Sequence, residues 1–96
     1  MNLFYAPHTS ALASHIALEE AGADYAVTRI DFGSEEQRKP DYLAINPMGK
    51  VPALKDDSAT MAEAAAICAY VAERYPEAKL APPIGDPARA KYLYWL

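Results

Sequence analysis

Leu43-Ala-Ile-Asn-Pro-Met-Gly-Lys-Val-Pro-Ala-Leu54 is the stretch that decides how this chain is read. Within it, Asn46-Pro47-Met48-Gly49 is turn chemistry, because asparagine, proline and glycine each favour a reversal for their own steric reason. Val51-Pro52-Ala53-Leu54-Lys55 then reads as a strand that opens on a proline. Such a proline sits at a sheet edge or carries a special peptide bond. Val51-Pro52 is a candidate for a cis bond, which proline alone tolerates cheaply. A cis bond there would turn the Val51 N–H and C=O outward, free to pair with an extended peptide as an added strand would. An ordinary edge-strand proline would have no such role.

Working outward, Leu3-Phe4-Tyr5 is a short strand stopped at Ala6-Pro7. Ser10 is placed to N-cap a helix over residues 11–21, with Leu12, Ile16 and His15 falling on one face and Gly22 ending it. Tyr25 to Ile30 reads as a second strand, rich in β-branched and aromatic residues. Residues 31–41 are polar and contain Gly33 and Pro40, which predicts a mobile loop. Asp41 to Ile45 makes one or two helical turns. On the other side, Asp56-Asp57-Ser58 predicts a hairpin turn and Ala59-Thr60-Met61 the returning strand. Glu63 opens a helix to about Tyr75, with Ala66, Ile67, Tyr70, Val71 and Arg74 on or beside one face, until Pro76 stops it.

The order β-α-β, short helix, β-β-α predicts an α/β fold. A right-handed crossover gives a parallel pair and the hairpin adds antiparallel strands, making a mixed four-stranded sheet with helices on both faces. Residues 1–80 form this domain. Residues 81–87, Ala-Pro-Pro-Ile-Gly-Asp-Pro, are a proline-rich linker by composition. Asp86 and Pro87 can start another helix over 88–96. Its apolar and aromatic residues have nothing in the first domain to pack on, so it reads as the first turns of an all-helical second domain; a short C-terminal helix docked back on the sheet is the alternative.

Composition narrows the function. The 96 residues are 52% apolar and 23% charged, which is globular. A net charge of −4 with scattered basic residues argues against nucleic acid as a partner. No apolar run approaches the roughly 18 residues that span a bilayer, and the opening residues lack the basic flank of a signal peptide, so a cytoplasmic protein is expected. The single cysteine, Cys68, sits among alanines and isoleucine and reads as a buried small hydrophobe. It excludes a CxxC redox pair. His8 reads as a loop residue, and His15 as a packing residue. Neither belongs to a spacing that would hold a metal.

Leu43–Leu54 resembles the strand-three signature of cytosolic glutathione transferases. Met61-Ala-Glu-Ala-Ala-Ala-Ile67 is similar to the motif that follows it there, usually Glu-Ser-x-Ala-Ile. Leu3-Phe-Tyr-Ala-Pro7 with Ser14-His-Ile-Ala-Leu-Glu-Glu20 looks like the opening of bacterial, beta-type members, and Tyr75-Pro-Glu-Ala-x-Leu80 fits as well. The resemblance covers essentially the whole chain and implies a thioredoxin-like fold, agreeing with the element order above.

The resemblance also implies roles. Val51, before Pro52, would pair with the cysteinyl part of glutathione, and Glu63 would meet its γ-glutamyl amino group. The N–H of Ala64, at a helix N-terminus, would hold the γ-glutamyl carboxylate; Ala64 stands where the family offers a hydroxyl. Lys50 is within the expected reach of the glycyl carboxylate. Catalysis would require a hydroxyl to stabilise the glutathione thiolate. Ser10 matches the position of cysteine in beta-type members, Tyr5 matches the tyrosine of the tyrosine-using classes, and Thr9 ranks third. From the residues alone, Ser10 is equally an N-cap, Tyr5 a core aromatic and Glu63 a carboxylate complementing a helix dipole. The implied activity is conjugation of glutathione, the co-substrate, to a small electrophile in detoxification, by a homodimer and without metal. The alternatives are a non-catalytic interaction domain of the same family and a glutathione-dependent reductase or isomerase.

Overall fold

The computed structural model describes residues 1–96. Four strands, β1 (Asn2–Tyr5), β2 (Ala26–Arg29), β3 (Ala53–Lys55) and β4 (Thr60–Ala62), form one sheet in the order β2-β1-β3-β4. β1 and β2 run parallel, as the intervening helix α1 (Ala11–Glu20) demands. β3 pairs antiparallel with both β1 and β4. The remaining helices are α2 (Pro40–Leu43), α3 (Ala64–Arg74) and α4 (Arg89–Trp95). The mixed four-stranded sheet expected from sequence is the one observed.

Alternation along the strands divides the core. Leu3 and Leu54 are cross-strand partners on one face, where they pack with Leu18 of α1 and with Ile67 and Val71 of α3. Their neighbours Phe4 and Ala53, also partners, point to the opposite face and pack with Ile30 and Tyr42 of α2. This is the period-two pleat at work. Each fully buried Leu, Ile or Val contributes about 1.5–3 kcal/mol relative to exposure.

Several boundaries differ from the sequence expectations, each for a local reason. α1 ends at Glu20 and buries Ala11, Ser14 and Leu18, whereas Leu12 and Ile16 are 63% and 52% exposed. The helix carries small or apolar residues nearly all round, so its spacing does not select a face. Close packing on α3 selects the small ones, and the buried Ser14 hydroxyl donates to the Ala64 carbonyl at 3.5 Å. Ser10 does not cap α1 through its side chain. Thr9 takes that place, its Oγ1 accepting from the Ala11 N–H at 3.3 Å and donating to the Ala6 carbonyl at 2.7 Å.

Residues 31–39 are not a structureless loop. They make 3-10 turns over Phe32–Ser34 and Glu36–Arg38. Asp31 Oδ1 accepts from the Gly33 N–H, while the Asp31 N–H donates to Glu36 Oε1 at 2.8 Å. Side-chain-to-backbone bonds of this kind give polar segments regular structure without hydrophobic periodicity. The strand of residues 25–30 shortens to β2, although Ile30 N–H still donates to the Tyr5 carbonyl at 2.8 Å. Pro40 occupies the first turn of α2, so that helix starts one residue earlier than expected and ends at Leu43. The returning strand is β4, one residue later than expected.

Beyond α3, Pro76–Ala78 forms a further 3-10 turn. Asp86 Oδ1 accepts from the Ala88 N–H at 2.8 Å ahead of α4. Arg89 Nη1 donates to the Pro82 carbonyl at 2.9 Å, and α4 buries no residue.

Asp56 ties the β3–β4 turn to α3. Its Oδ1 accepts from the N–H groups of Ser58 and Ala59 and from the Ser58 hydroxyl. Its Oδ2 accepts from the Tyr70 hydroxyl and, at 2.9 Å, from Arg74 Nη1. The Tyr70 hydrogen bond, with those from Ser58 and Ala59, holds the Asp56 carboxyl well below the usual carboxylate range. A carboxyl depressed in the folded state stabilises fully above its unfolded pKa, near 3.9, and that stability is lost as pH falls from there toward the folded value. Asp56→Asn is therefore expected to lower the urea midpoint at pH 7 and to flatten its decline below about pH 4. Parallel declines in both proteins would show that Asp56 does not couple folding to acid.

Candidate functional site

The register of the hairpin builds the site. Ala53 pairs with Ala62, so the residues just before β3 lie beside those just after β4. Across the end of the sheet stands the start of α1. A recess of about 140 Å³ opens there, lined by Ser10, Asn46, Met48, Lys50, Val51, Pro52, Ala62, Glu63 and Ala64. Six of the residues singled out from sequence, Ser10, Lys50, Val51, Pro52, Glu63 and Ala64, thus meet at one place.

Backbone groups dominate the walls. The Val51–Pro52 bond is cis, one of the two readings the sequence left open. Neither the N–H nor the C=O of Val51 is engaged within the chain. Unpaired backbone groups at a strand's start are the template an extended peptide needs. On the facing side, the first ladder bond of α3 runs from the Ile67 N–H to the Glu63 carbonyl at 2.9 Å. The N–H groups of Ala64, Ala65 and Ala66 therefore precede the ladder and have no intrahelical acceptor. No side chain caps them, and no acidic residue occupies the first turn. This end of α3 suits an anion.

Glu63 links the two walls. Its φ of 72° and ψ of 117° lie outside the regions that side-chain-bearing residues prefer, a cost on the order of 1–3 kcal/mol. Its carboxylate is exposed and makes no ion pair. Lys50 is likewise exposed and unpaired. Ser10, relieved of capping by Thr9, lines the recess, and its hydroxyl has no partner in the chain.

Tyr5 and Thr9 do not line the recess. The Tyr5 ring packs at the edge of the Leu3–Leu18–Leu54 core, 6.0 Å from the His15 ring. His15 in turn meets Tyr25 edge to face. Cys68 lies in α3 away from the recess, and burial pushes its thiol up despite a hydrogen bond to Ser14. Three lining residues, Asn46, Met48 and Ala62, are not among the site residues expected from sequence. Asn46 was readable only as a turn former.

Comparing Glu63→Gly with Glu63→Ala isolates the backbone cost at this position, since both remove the carboxylate and only glycine accepts positive φ freely. Glu63→Gly is expected to be more stable than Glu63→Ala by about 1 kcal/mol in urea unfolding. Equal stabilities would mean that residue 63 relaxes to an ordinary conformation.

The family model described as "Glutathione S-transferase, N-terminal domain" matches residues 1–73. Glutathione S-transferase GstA of Escherichia coli O157:H7 is 40% identical over an alignment that covers 100% of this chain and 49% of that protein. A sphingomonad glutathione S-transferase structure complexed with glutathione superposes with a TM-score of 0.86 at 42% identity, covering 98% of this chain and 48% of the other. A Sulfitobacter glutathione transferase homologue with bound glutathione superposes with a TM-score of 0.83 at 46% identity, over 91% of this chain and 41% of the other. The chain thus spans about half the length of the relatives it matches. Its thioredoxin-like sheet, its unpaired strand start beside a bare helix N-terminus, and a family match over most of its length together establish that the chain belongs to the glutathione S-transferase family.

Proposed function

We propose that this chain is the glutathione-binding half of a glutathione transferase. The observation that carries the reading is the meeting, in one recess, of the free Val51 N–H and C=O with the uncapped start of α3. Glutathione is an extended tripeptide with a carboxylate at each end, an amino group and a central thiol. Val51 pairs with its cysteinyl backbone. Ala64 N–H and the α3 N-terminus receive the γ-glutamyl carboxylate, Glu63 the γ-glutamyl amino group, and Lys50 the glycyl carboxylate. Pro52 shapes the turn beneath.

A free thiol near pKa 8.5 is only a few per cent ionised at neutral pH. Lowering it by about two units needs roughly 2.7 kcal/mol of preferential thiolate stabilisation. In this reading the Ser10 hydroxyl, at the N-terminus of α1, donates to the sulfur and supplies part of it. The thiol proton leaves to solvent, and the sulfur lone pair forms the new bond to an electrophilic carbon, which either expels its leaving group as an anion or passes its π electron pair to the neighbouring atom, where solvent protonates it. Tyr5 is the second candidate for the hydroxyl and Thr9 the third, but neither lines the recess.

The finer reading is a homodimeric cytoplasmic detoxification enzyme of bacterial type. Residues 1–80 bind glutathione, 81–87 link, and 88–96 begin a helical domain that supplies the electrophile pocket. No helix here is long and apolar enough to cross a membrane. Ala64 favours a second reading, a non-catalytic interaction domain, because a missing hydroxyl bond to a charged group costs about 1.5–3 kcal/mol.

Calorimetric titration with reduced glutathione separates the two. Saturable binding that Glu63→Ala weakens at least roughly tenfold, the worth of one bond to a charged group, supports the transferase reading. Bound thiol is then expected to titrate about one to two units below the free value, and Ser10→Ala to return it toward 8.5 in ultraviolet difference spectra. Saturable binding with an unshifted thiol would favour the interaction domain, and no binding at tens of millimolar would remove glutathione from the reading.

A further inference from the structure

The recess depends on one peptide group, and the chain invests two buried side chains in holding it. The Lys50 carbonyl accepts from the Tyr42 hydroxyl at 2.5 Å and from Asn46 Nδ2 at 2.9 Å. Tyr42 is 2% exposed and Asn46 5%, so neither bond competes with bulk water. Both donors are fixed from behind. The Tyr42 ring meets Phe4 edge to face at 5.9 Å. Asn46 Oδ1 accepts from the Met48 N–H at 3.1 Å, and the Asn46 carbonyl from the Gly49 N–H at 2.9 Å. Gly49, at φ +63°, lets the turn approach the Gln37 carbonyl, which a Cβ there would meet at 2.9 Å.

Lys50 C=O and Val51 N–H belong to the same peptide unit. That unit is planar and trans, the cis bond being the next one along, so its C=O and N–H point in opposite directions. Pinning the carbonyl inward therefore aims the Val51 N–H outward, toward the recess. A carbonyl that accepts two hydrogen bonds also polarises its own N–H into a stronger donor.

We infer that Tyr42 and Asn46 are positioning residues for ligand recognition: by jointly holding the Lys50 carbonyl, they aim and strengthen the Val51 N–H that pairs with the cysteinyl backbone of glutathione. This rests on the reading of the recess as a glutathione site. Val51 was singled out from sequence for its own backbone. The device that orients it comes from α2 and the Asn46 turn.

Two variants separate aiming from folding. Tyr42→Phe keeps the ring against Phe4 and removes only the hydroxyl. Asn46→Asp keeps the acceptor for Met48 N–H but replaces the donor with a carboxylate oxygen, which cannot donate to the Lys50 carbonyl and adds a negative charge beside it. The Val51 N–H vector is read by residual dipolar couplings in the free protein, and affinity by calorimetry with reduced glutathione. Each single variant is expected to weaken glutathione roughly threefold to tenfold. The double variant is expected to weaken it more and to rotate the Val51 N–H, while couplings in β1, α1 and α3 stay unchanged. A Val51 vector that keeps its orientation in the double variant overturns the inference, as does a rotated vector with unchanged affinity. If the double variant does not fold, Tyr42→Phe alone is judged by the same two criteria. Should the unaltered protein not bind glutathione, the glutathione reading fails separately, and an unmoved Val51 vector would still refute the aiming role.

Discussion

The antiparallel register of β3 against β4 is the constraint on which this structure turns. Ala53 opposite Ala62 and Lys55 opposite Thr60 bring two segments, far apart in chemistry but close in sequence, to one end of the sheet. A slip of one residue would exchange the faces of Leu54 and Ala53 and empty both cores at once. It would also separate Val51 from Glu63. The same hairpin anchors α3 at its far end through Asp56, Tyr70 and Arg74. One set of pairings thus fixes the core, the entry of the long helix and the geometry of the recess.

In the proposed site the groups offered to a ligand are mainly backbone, which explains how short elements suffice. The Val51 peptide groups and the first N–H groups of α3 need no side-chain rotamer to be ordered, so binding them costs little further conformational entropy. The expense appears in the fold instead. Val51 leaves two hydrogen-bonding groups unmatched, α3 starts without a cap, and Glu63 sits at positive φ. Each departs from what stability alone would select, and the three adjoin one another. Strain and unmet polar groups concentrated in this way are the physical basis for proposing a ligand site here.

Away from the recess the chain keeps a small core. Buried residues number 14 of 96, and large apolar side chains on α1 and α4, among them Leu12, Ile16, Tyr94 and Trp95, remain exposed. A domain of this size buries a modest share of its surface, so the polar ties at Asp56 and at the Lys50 carbonyl carry a correspondingly larger part of its specificity.

By itself the sequence determined the element order, the turn at Asn46–Gly49, the hairpin and the Ile67–Val71 face of α3. Local steric rules and clear periodicity act there within a few residues. It also marked Val51, Pro52, Glu63, Ala64 and Lys50 through the motifs that flank the hairpin, and Ser10 through its place at the start of the first helix. The tertiary structure decided the rest. It chose the buried face of α1, because a helix with small and apolar residues on every side has no phase until α3 packs on it. It passed the cap from Ser10 to Thr9, two hydroxyls that spacing cannot rank, and left the Ser10 hydroxyl without a partner at the edge of the recess. It turned residues 31–39 into 3-10 turns through bonds that no hydrophobic pattern announces. It placed Tyr5 beside His15 instead of in the recess, and drew Tyr42 and Asn46 onto one carbonyl. In every such case the deciding interaction joins side chains to backbone or packing partners whose direction is set only when the elements dock.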